Sequence, residues 1–183
     1  MKSGRWSFVG LLLLTATGGY LCRVNFSTAG ALAMWEFGLS QVEMGRIFSA
    51  FLLGYALCQI PAGMLADRWG ARRVLAIACW WWVAGTIAQA CVGHGLWQAG
   101  ASGALWSFVT LRFLLGVAEA PTCPASAQGV ACWIPTRLQG RANGVVLASI
   151  GPGSPLAPPP VSASMLRWGW RTAMVVSSRS APG

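Results

Sequence analysis

Long stretches without any Asp, Glu, Lys or Arg constrain this chain more than any other feature. No such residue occurs in 47–66, and none occurs in 74–111. A helix needs about 20 largely apolar residues to cross the hydrocarbon core of a bilayer. Charged residues make up 9% of the chain, whereas a soluble domain contains roughly 25%. The chain is therefore predicted to be an all-α integral membrane protein, and not a cytosolic enzyme, a disordered tail or a disulfide-stapled secreted module.

Five segments are predicted to span the membrane, with approximate limits 8–34, 47–66, 74–91, 104–133 and 142–166. The third and fourth are separated at a Gly-His-Gly sequence, because the uncharged stretch that contains them is too long for one helix. The fifth is the weakest, since its five prolines each remove a backbone donor that lipid cannot replace. It is expected to hold only where neighbouring helices shelter it.

The distribution of positive charge predicts the orientation of the spans. Basic residues precede the first span, follow the second and follow the fourth: Lys2, Arg5, Arg68, Arg72, Arg73, Arg137 and Arg141. Because cytoplasmic loops carry the excess of Lys and Arg, the N-terminus is predicted to be cytoplasmic. The net charge of +9 is split among these short clusters, which does not favour nucleic-acid binding. The six cysteines lie within apolar runs without CxxC spacing, so they are predicted to be free thiols.

Three ionisable residues lie inside predicted spans: Arg23, Arg112 and Glu119. A charge at the centre of a span costs about 2.5 to 3.5 kcal/mol on insertion scales, so such residues usually have a function. Arg112 and Glu119 are seven residues apart, on one helix face but about two turns from each other. Glu119 is therefore predicted to face a cation on another helix, with Arg23 as the candidate. An arginine fork suits a carboxylate ligand, and a buried glutamate suits proton coupling.

Less specific interpretations of these three residues remain open. Arg23, Arg112 and Glu119 are each also consistent with a structural ion pair that only locks two helices together. Arg112 lies nearer a predicted helix end, from which its head group can snorkel to the membrane surface.

The loop between the second and third spans carries a further pattern of glycines and charges. Gly63 permits close approach of a neighbouring helix, and Gly70 permits a tight reversal of the chain. Asp67 is predicted to cap the following helix or to accept a hydrogen bond from an arginine. Arg72 and Arg73 are predicted to anchor the cytoplasmic face.

This loop resembles the G-x-L-a-D-r-x-G-r-r motif that the major facilitator superfamily carries between its second and third spans. The matching residues are Gly63, Asp67, Arg68, Gly70, Arg72 and Arg73. Arg112 and Gly116 are similar to the fourth-helix motif of the same family. Five segments resemble more narrowly its anion:cation symporter branch, which contains bacterial galactonate and hexuronate symporters: 20–27, 43–51, 57–61, 112–121 and 140–144.

The resemblance implies the N-terminal half of a twelve-span transporter with substrate held between two halves. Residues 1–171 would form most of its six-helix bundle, and residues 172–183 a tail unlike the family. Arg23 matches the arginine taken to bind the substrate carboxylate, and Tyr20 and Asn25 match cavity-lining positions. Glu119 matches a glutamate implicated in proton coupling. Galactonate-type members carry Asp where this chain has Cys22, so one carboxylate of that site is missing.

The implied function is transport of a small organic anion, such as a sugar acid, by proton symport across the cell inner membrane. No cofactor or metal is expected, and no nucleophile–base pair or phosphate loop indicates an enzyme. A separate C-terminal half is an expected partner, since about five spans make up less than half of such a transporter; the chain is expected to be truncated. The alternative is a non-transporting truncated membrane protein or an assembly subunit.

Overall fold

The computed structural model describes residues 10, 26–27, 29–93, 100–148, 165, 169 and 172. Over these residues the regular structure is helical and contains no strand, which confirms the predicted fold class. A first helix, α1, is described over residues 29–37. It is followed by α2 (Gln41–Trp69), α3 (Ala71–Cys91), α4 (Ala101–Glu119), α5 (Thr122–Trp133) and α6 (Thr136–Ala148).

Three helical segments are long and apolar enough to cross a membrane: Gln41–Trp69, Ala71–Cys91 and Ser102–Trp133. They contain the predicted second, third and fourth spans. Each begins before its predicted start, the first of them also ends later than predicted, and the other two end where predicted. Most of the predicted first span lies outside the described residues. The helix of the predicted fifth span begins at Thr136, earlier than the predicted residue 142, and its proline-rich part also lies outside the described residues.

The ends of α2 follow directly from local chemistry. At its start, Ser40 N–H donates to the Glu43 carboxylate at 2.8 Å, and Glu43 N–H donates to Ser40 Oγ at 3.3 Å. This reciprocal capping box satisfies two donors that the first turn leaves unpaired. At its end, Gly70 adopts φ +83°, which confirms the predicted tight reversal, because glycine enters this region without steric cost.

The predicted capping role of Asp67 is wrong within the described part of the chain. The N-cap of α3 is Gly70, and no side chain caps it. Because α2 continues to Trp69, Asp67 falls inside its last turn, where it is exposed and in no position to cap the next helix.

The predicted fourth span is divided into α4 and α5 by a turn at Ala120 and Pro121. Proline has no backbone N–H, so Pro121 leaves the carbonyl of Val117 without its intrahelical donor. Pro124 does the same to the carbonyl of Ala120. Helical hydrogen bonds resume around the turn, with Ala125 N–H donating to Pro121 O at 2.9 Å. The two helices therefore form one broken span rather than separate elements.

Helices α2 and α4 cross with their backbones in contact. A Cβ atom added to Gly54 would overlap the backbone oxygen of Phe113, and one added to Gly116 would overlap that of Phe51. A Cβ added to Gly63, which was predicted to permit close approach of a neighbouring helix, would lie 3.4 Å from Pro124 Cβ on α5, an ordinary contact distance. The closest approach is therefore at Gly54 and Gly116, where the lack of a side chain allows van der Waals packing of helix on helix.

The outward faces of α2 and α3 are apolar. Large hydrophobic side chains on these faces are more than one-third exposed, among them Leu52, Leu53, Leu57, Ile60, Ile77 and Trp80. Such a surface would be unfavourable in water and is the expected one where lipid is the solvent.

Candidate functional site

The three residues predicted to bind substrate, Tyr20, Arg23 and Asn25, lie outside the described residues. The part of the candidate site that the structure describes is formed by α2, α4 and α5. It includes Arg112 and Glu119, the other two ionisable residues predicted inside spans.

The Arg112 guanidinium is surrounded by aromatic rings. Only 3% of this residue is exposed, and its Cζ lies 3.9 Å from the centroid of the Phe26 ring. The ring centroids of Phe51 and Phe48 are 5.7 and 5.9 Å away. A cation within about 6 Å of a ring centroid is attracted by the ring quadrupole, most strongly where water is excluded. These three rings, the aromatic cage, therefore stabilise a charge inside a predicted membrane span.

The aromatic cage joins three parts of the bundle, because Phe26 precedes α1, Phe48 and Phe51 belong to α2, and Arg112 belongs to α4. The Phe26 ring also packs edge-on against Phe48, with centroids 5.9 Å apart. The snorkelling interpretation of Arg112 does not fit this geometry, since a snorkelling head group would be exposed. If Arg112 has a structural role, its contacts with the aromatic cage are what would hold α4 against α2 and the segment at Phe26.

Glu119 is the last residue of α4, and it is half-buried. Before it lies Gly116, where an added Cβ would be 2.8 Å from the backbone nitrogen of Tyr55. After it lies Cys123, whose Sγ accepts a hydrogen bond from the Tyr55 hydroxyl at 3.6 Å. The carboxylate therefore belongs to the part of α4 that is level with Tyr55 on α2. Arg112 lies about two turns away along the helix, as expected from the sequence.

Three polar side chains meet at this level and were not identified from the sequence. Gln59 Nε2 donates to the Tyr55 hydroxyl at 3.3 Å, and that hydroxyl donates to Cys123 Sγ. The Tyr55 ring is also stacked on Phe51 of the aromatic cage, with centroids 6.5 Å apart. We call Tyr55, Gln59 and Cys123 the polar cluster. The signal in the sequence was the four-residue spacing of Tyr55 and Gln59 within an otherwise apolar span, which puts both on one helix face.

The charged residues of the loop after α2 are displayed at the end of the bundle. Asp67, Arg68, Arg72 and Arg73 are all exposed. The first amide of α3, that of Ala71, donates to Gln128 Oε1 on α5 at 3.1 Å. The loop is thereby joined to α5, away from Glu119 and the polar cluster.

The cysteines do not form a second site in the described part of the chain. Cys58, Cys79, Cys91, Cys123 and Cys132 are free thiols there, as predicted from their apolar surroundings. Cys22 lies outside the described residues.

Comparison with protein families identifies this architecture. The family model of the Major Facilitator Superfamily matches residues 7–178, which is nearly the whole chain. The match includes every predicted site residue, from Tyr20 to Glu119.

Individual relatives are transporters of organic acids by name. A probable galactarate/D-glucarate transporter of Pseudomonas putida is 39% identical over 77% of this chain and 30% of its own length. A probable sulfoacetate transporter of Cupriavidus necator is 31% identical over 94% of the chain and 38% of its own length. A D-galactonate transporter of Escherichia coli is 34% identical over 92% of this chain and 38% of its own length. The chain thus spans 30% to 38% of the length of these relatives.

Proposed function

Because the chain belongs to the Major Facilitator Superfamily, we propose that it forms the N-terminal part of a transporter for a small organic anion. The names of its relatives support this class of substrate, since galactarate, D-glucarate, D-galactonate and sulfoacetate all carry a carboxylate. The proposed setting is the cell inner membrane, with the N-terminus in the cytoplasm. The charge distribution of the loops supports that orientation.

In this proposal the substrate carboxylate binds Arg23, with Tyr20 and Asn25 in the same cavity. A guanidinium provides two parallel donors that match the two oxygens of a carboxylate. The observation that carries the proposal is the half-buried Glu119 at the break of a membrane span, level with the polar cluster. A polar site at this depth is costly unless it is used. The hydroxyl and amide groups of the cluster are suited to the hydroxyls of a sugar acid.

Ligand binding by the purified chain tests the proposed substrate class. D-Glucarate is expected to raise the unfolding temperature, whereas sorbitol, which has the same carbon skeleton without carboxylates, is expected not to. A ligand at 100 times its Kd stabilises a protein by about 2.7 kcal/mol, which is easily measured by fluorescence-detected thermal unfolding. Equal effects of the acid and the polyol would contradict the proposal.

A carboxylate that gains and loses a proton inside a span is the proposed basis of coupling. Glu119→Gln removes the titratable group with little change of shape, so uptake of D-glucarate into proteoliposomes should lose its dependence on the proton gradient. Glu36→Gln, an exposed glutamate at the end of α1, is the matched control and should leave that dependence intact. Retained coupling in Glu119→Gln would exclude Glu119 as the proton site and would favour the structural ion pair.

Uptake in that assay also requires a complete cavity. Since members of the family hold substrate between two halves, and this chain spans 30% to 38% of its relatives, we propose that a second set of helices completes the site. The alternative is a non-transporting membrane protein or an assembly subunit. Absence of binding by any carboxylate would favour that alternative.

A further inference from the structure

Two turns at one end of the bundle carry a concentration of positive charge. Five exposed arginines, the arginine patch, lie in or beside these turns: Arg68, Arg72, Arg73, Arg137 and Arg141. The first three flank the turn between α2 and α3, and the other two belong to the start of α6. Asp67 is the one acidic residue in segments 67–73 and 136–141, so the net charge of these segments remains strongly positive.

The structure brings these two turns together, although they are far apart in the sequence. The hydrogen bond from Ala71 N–H to Gln128 Oε1 ties the start of α3 to α5. A continuous apolar cluster then joins Ala71 and Val74 to Ile134 and Ala142, which adjoin the second turn. The two turns, and the five arginines that flank them, consequently lie at the same end of the bundle.

The arginines of the patch are not paired with counter-charges in the described part of the chain. None of its five side chains has a hydrogen-bond or ion-pair partner among the residues described. Neither α3 nor α6 has an acidic residue in its first turn. Arg72, Arg73 and Arg137 instead add positive charge where the helix dipole is already positive, which is unfavourable. An anion from outside the chain would relieve both effects.

Exposed tryptophans indicate the depth at which this anion lies. Trp69 ends α2, Trp133 ends α5, and they are 53% and 62% exposed. Because indole rings concentrate at the boundary between lipid tails and head groups, two of them beside the two turns put the arginines at head-group level. Lipid phosphates lie at that depth, which favours a lipid over a soluble anion as the ligand.

We propose that the arginine patch binds the phosphate head group of an anionic phospholipid, with both turns contributing to one site. The assignment does not depend on the proposed transport function. It predicts a preference for net negative lipids, because a zwitterionic head group offers no net charge to the patch. Each arginine near an anionic membrane surface contributes about fivefold to binding at low salt.

Native mass spectrometry of the full chain, purified in detergent, tests this proposal. With phosphatidylglycerol and phosphatidylcholine added at equal concentration, wild-type protein should retain the first at least fivefold more. The double variants R72Q/R73Q and R137Q/R141Q should each reduce this preference at least fivefold. The matched control R46Q removes an exposed arginine at the opposite end of α2 and should leave the preference unchanged. All substituted residues are exposed, so thermal unfolding should show that every variant remains folded.

Three results would overturn the proposal. Equal retention of both lipids by the wild type would remove the charge preference. Loss of preference in only one double variant, or in neither, would show that the turns do not form a joint site. Displacement of phosphatidylglycerol by an equal concentration of inorganic phosphate would assign the patch to a soluble anion instead.

Discussion

Replacing Gly116 by alanine is expected to cause a large loss of stability. The added Cβ would overlap the Phe51 backbone oxygen and lie 2.8 Å from the Tyr55 nitrogen, and backbone atoms cannot move aside as side chains do. Forcing extra volume into a packed interior typically costs about 1 to 3 kcal/mol and occasionally more. The expected result is a lower unfolding temperature, or loss of the monodisperse peak, in fluorescence-detected size-exclusion chromatography.

The control for this prediction is another helical glycine in α2. Gly45 has no atom within 4 Å of an added Cβ, so Gly45→Ala introduces the same group without a clash. Alanine is favoured over glycine in a helix interior by about 1 kcal/mol, and this variant should therefore be as stable as the wild type or more so. Equal stability of the two variants would contradict the backbone contact between α2 and α4.

Substitution of Arg23 by lysine is expected to produce the largest effect on ligand binding. In the proposed site Arg23 holds a carboxylate through two parallel hydrogen bonds, and an ammonium group acts only as a point charge. We expect at least a tenfold loss of D-glucarate affinity, which is about 1.4 kcal/mol. Thermal unfolding at increasing ligand concentration measures this loss. The D-glucarate concentration that gives a stated rise in unfolding temperature should increase by the same factor.

Arg112→Lys provides the matched control, since it is the same substitution in another predicted span. Lysine keeps the charge but loses the planar group that lies 3.9 Å from the Phe26 ring centroid. The variant should unfold at a lower temperature without ligand and should still respond to D-glucarate. Unchanged affinity in Arg23→Lys would refute the role proposed for Arg23. Equal losses of affinity in both variants would mean that Arg112 also acts on the ligand.

These two pairs of variants separate stability from function within a small region. Gly116 lies one helical turn after Arg112 and one turn before Glu119. The aromatic cage, the backbone contact and the polar cluster therefore follow one another along α4. A substitution at each of these three residues is expected to change a different measured property. Substituting Gly116 should lower the unfolding temperature through packing, and substituting Arg112 should lower it through loss of the aromatic cage. Substituting Glu119 should change the proton dependence of uptake.

Several features of this region were predictable because they depend on local composition. An uncharged run of about 20 residues has few alternatives to a membrane helix, so the second, third and fourth spans were predicted close to their observed positions. The reversal at Gly70 was predictable for a similar reason, since its φ of +83° is a conformation that glycine adopts without strain. The limits of the spans were less accurate, because polar residues such as those of the Ser40 capping box extend helices beyond their apolar parts.

Other features required knowledge of which helices meet. The sequence indicated close packing at Gly63, yet of the two α2 glycines Gly54 and Gly63 it is Gly54 that contacts a neighbouring backbone, since the crossing point depends on how α2 and α4 are inclined. The break at Pro121 was visible as a proline but was predicted as part of one span.

The sequence alone determined that this chain is helical and that the second, third and fourth predicted spans are long and apolar enough to cross a membrane, because these properties follow from transfer of each residue from water to lipid. Only the tertiary structure decided that Arg112 packs against phenylalanines of two other segments, that the Tyr55 hydroxyl meets Cys123 on another helix, and that two distant turns lie at the same end of the bundle. Each of these depends on contacts between helices, and such contacts are set by packing geometry that no local pattern specifies.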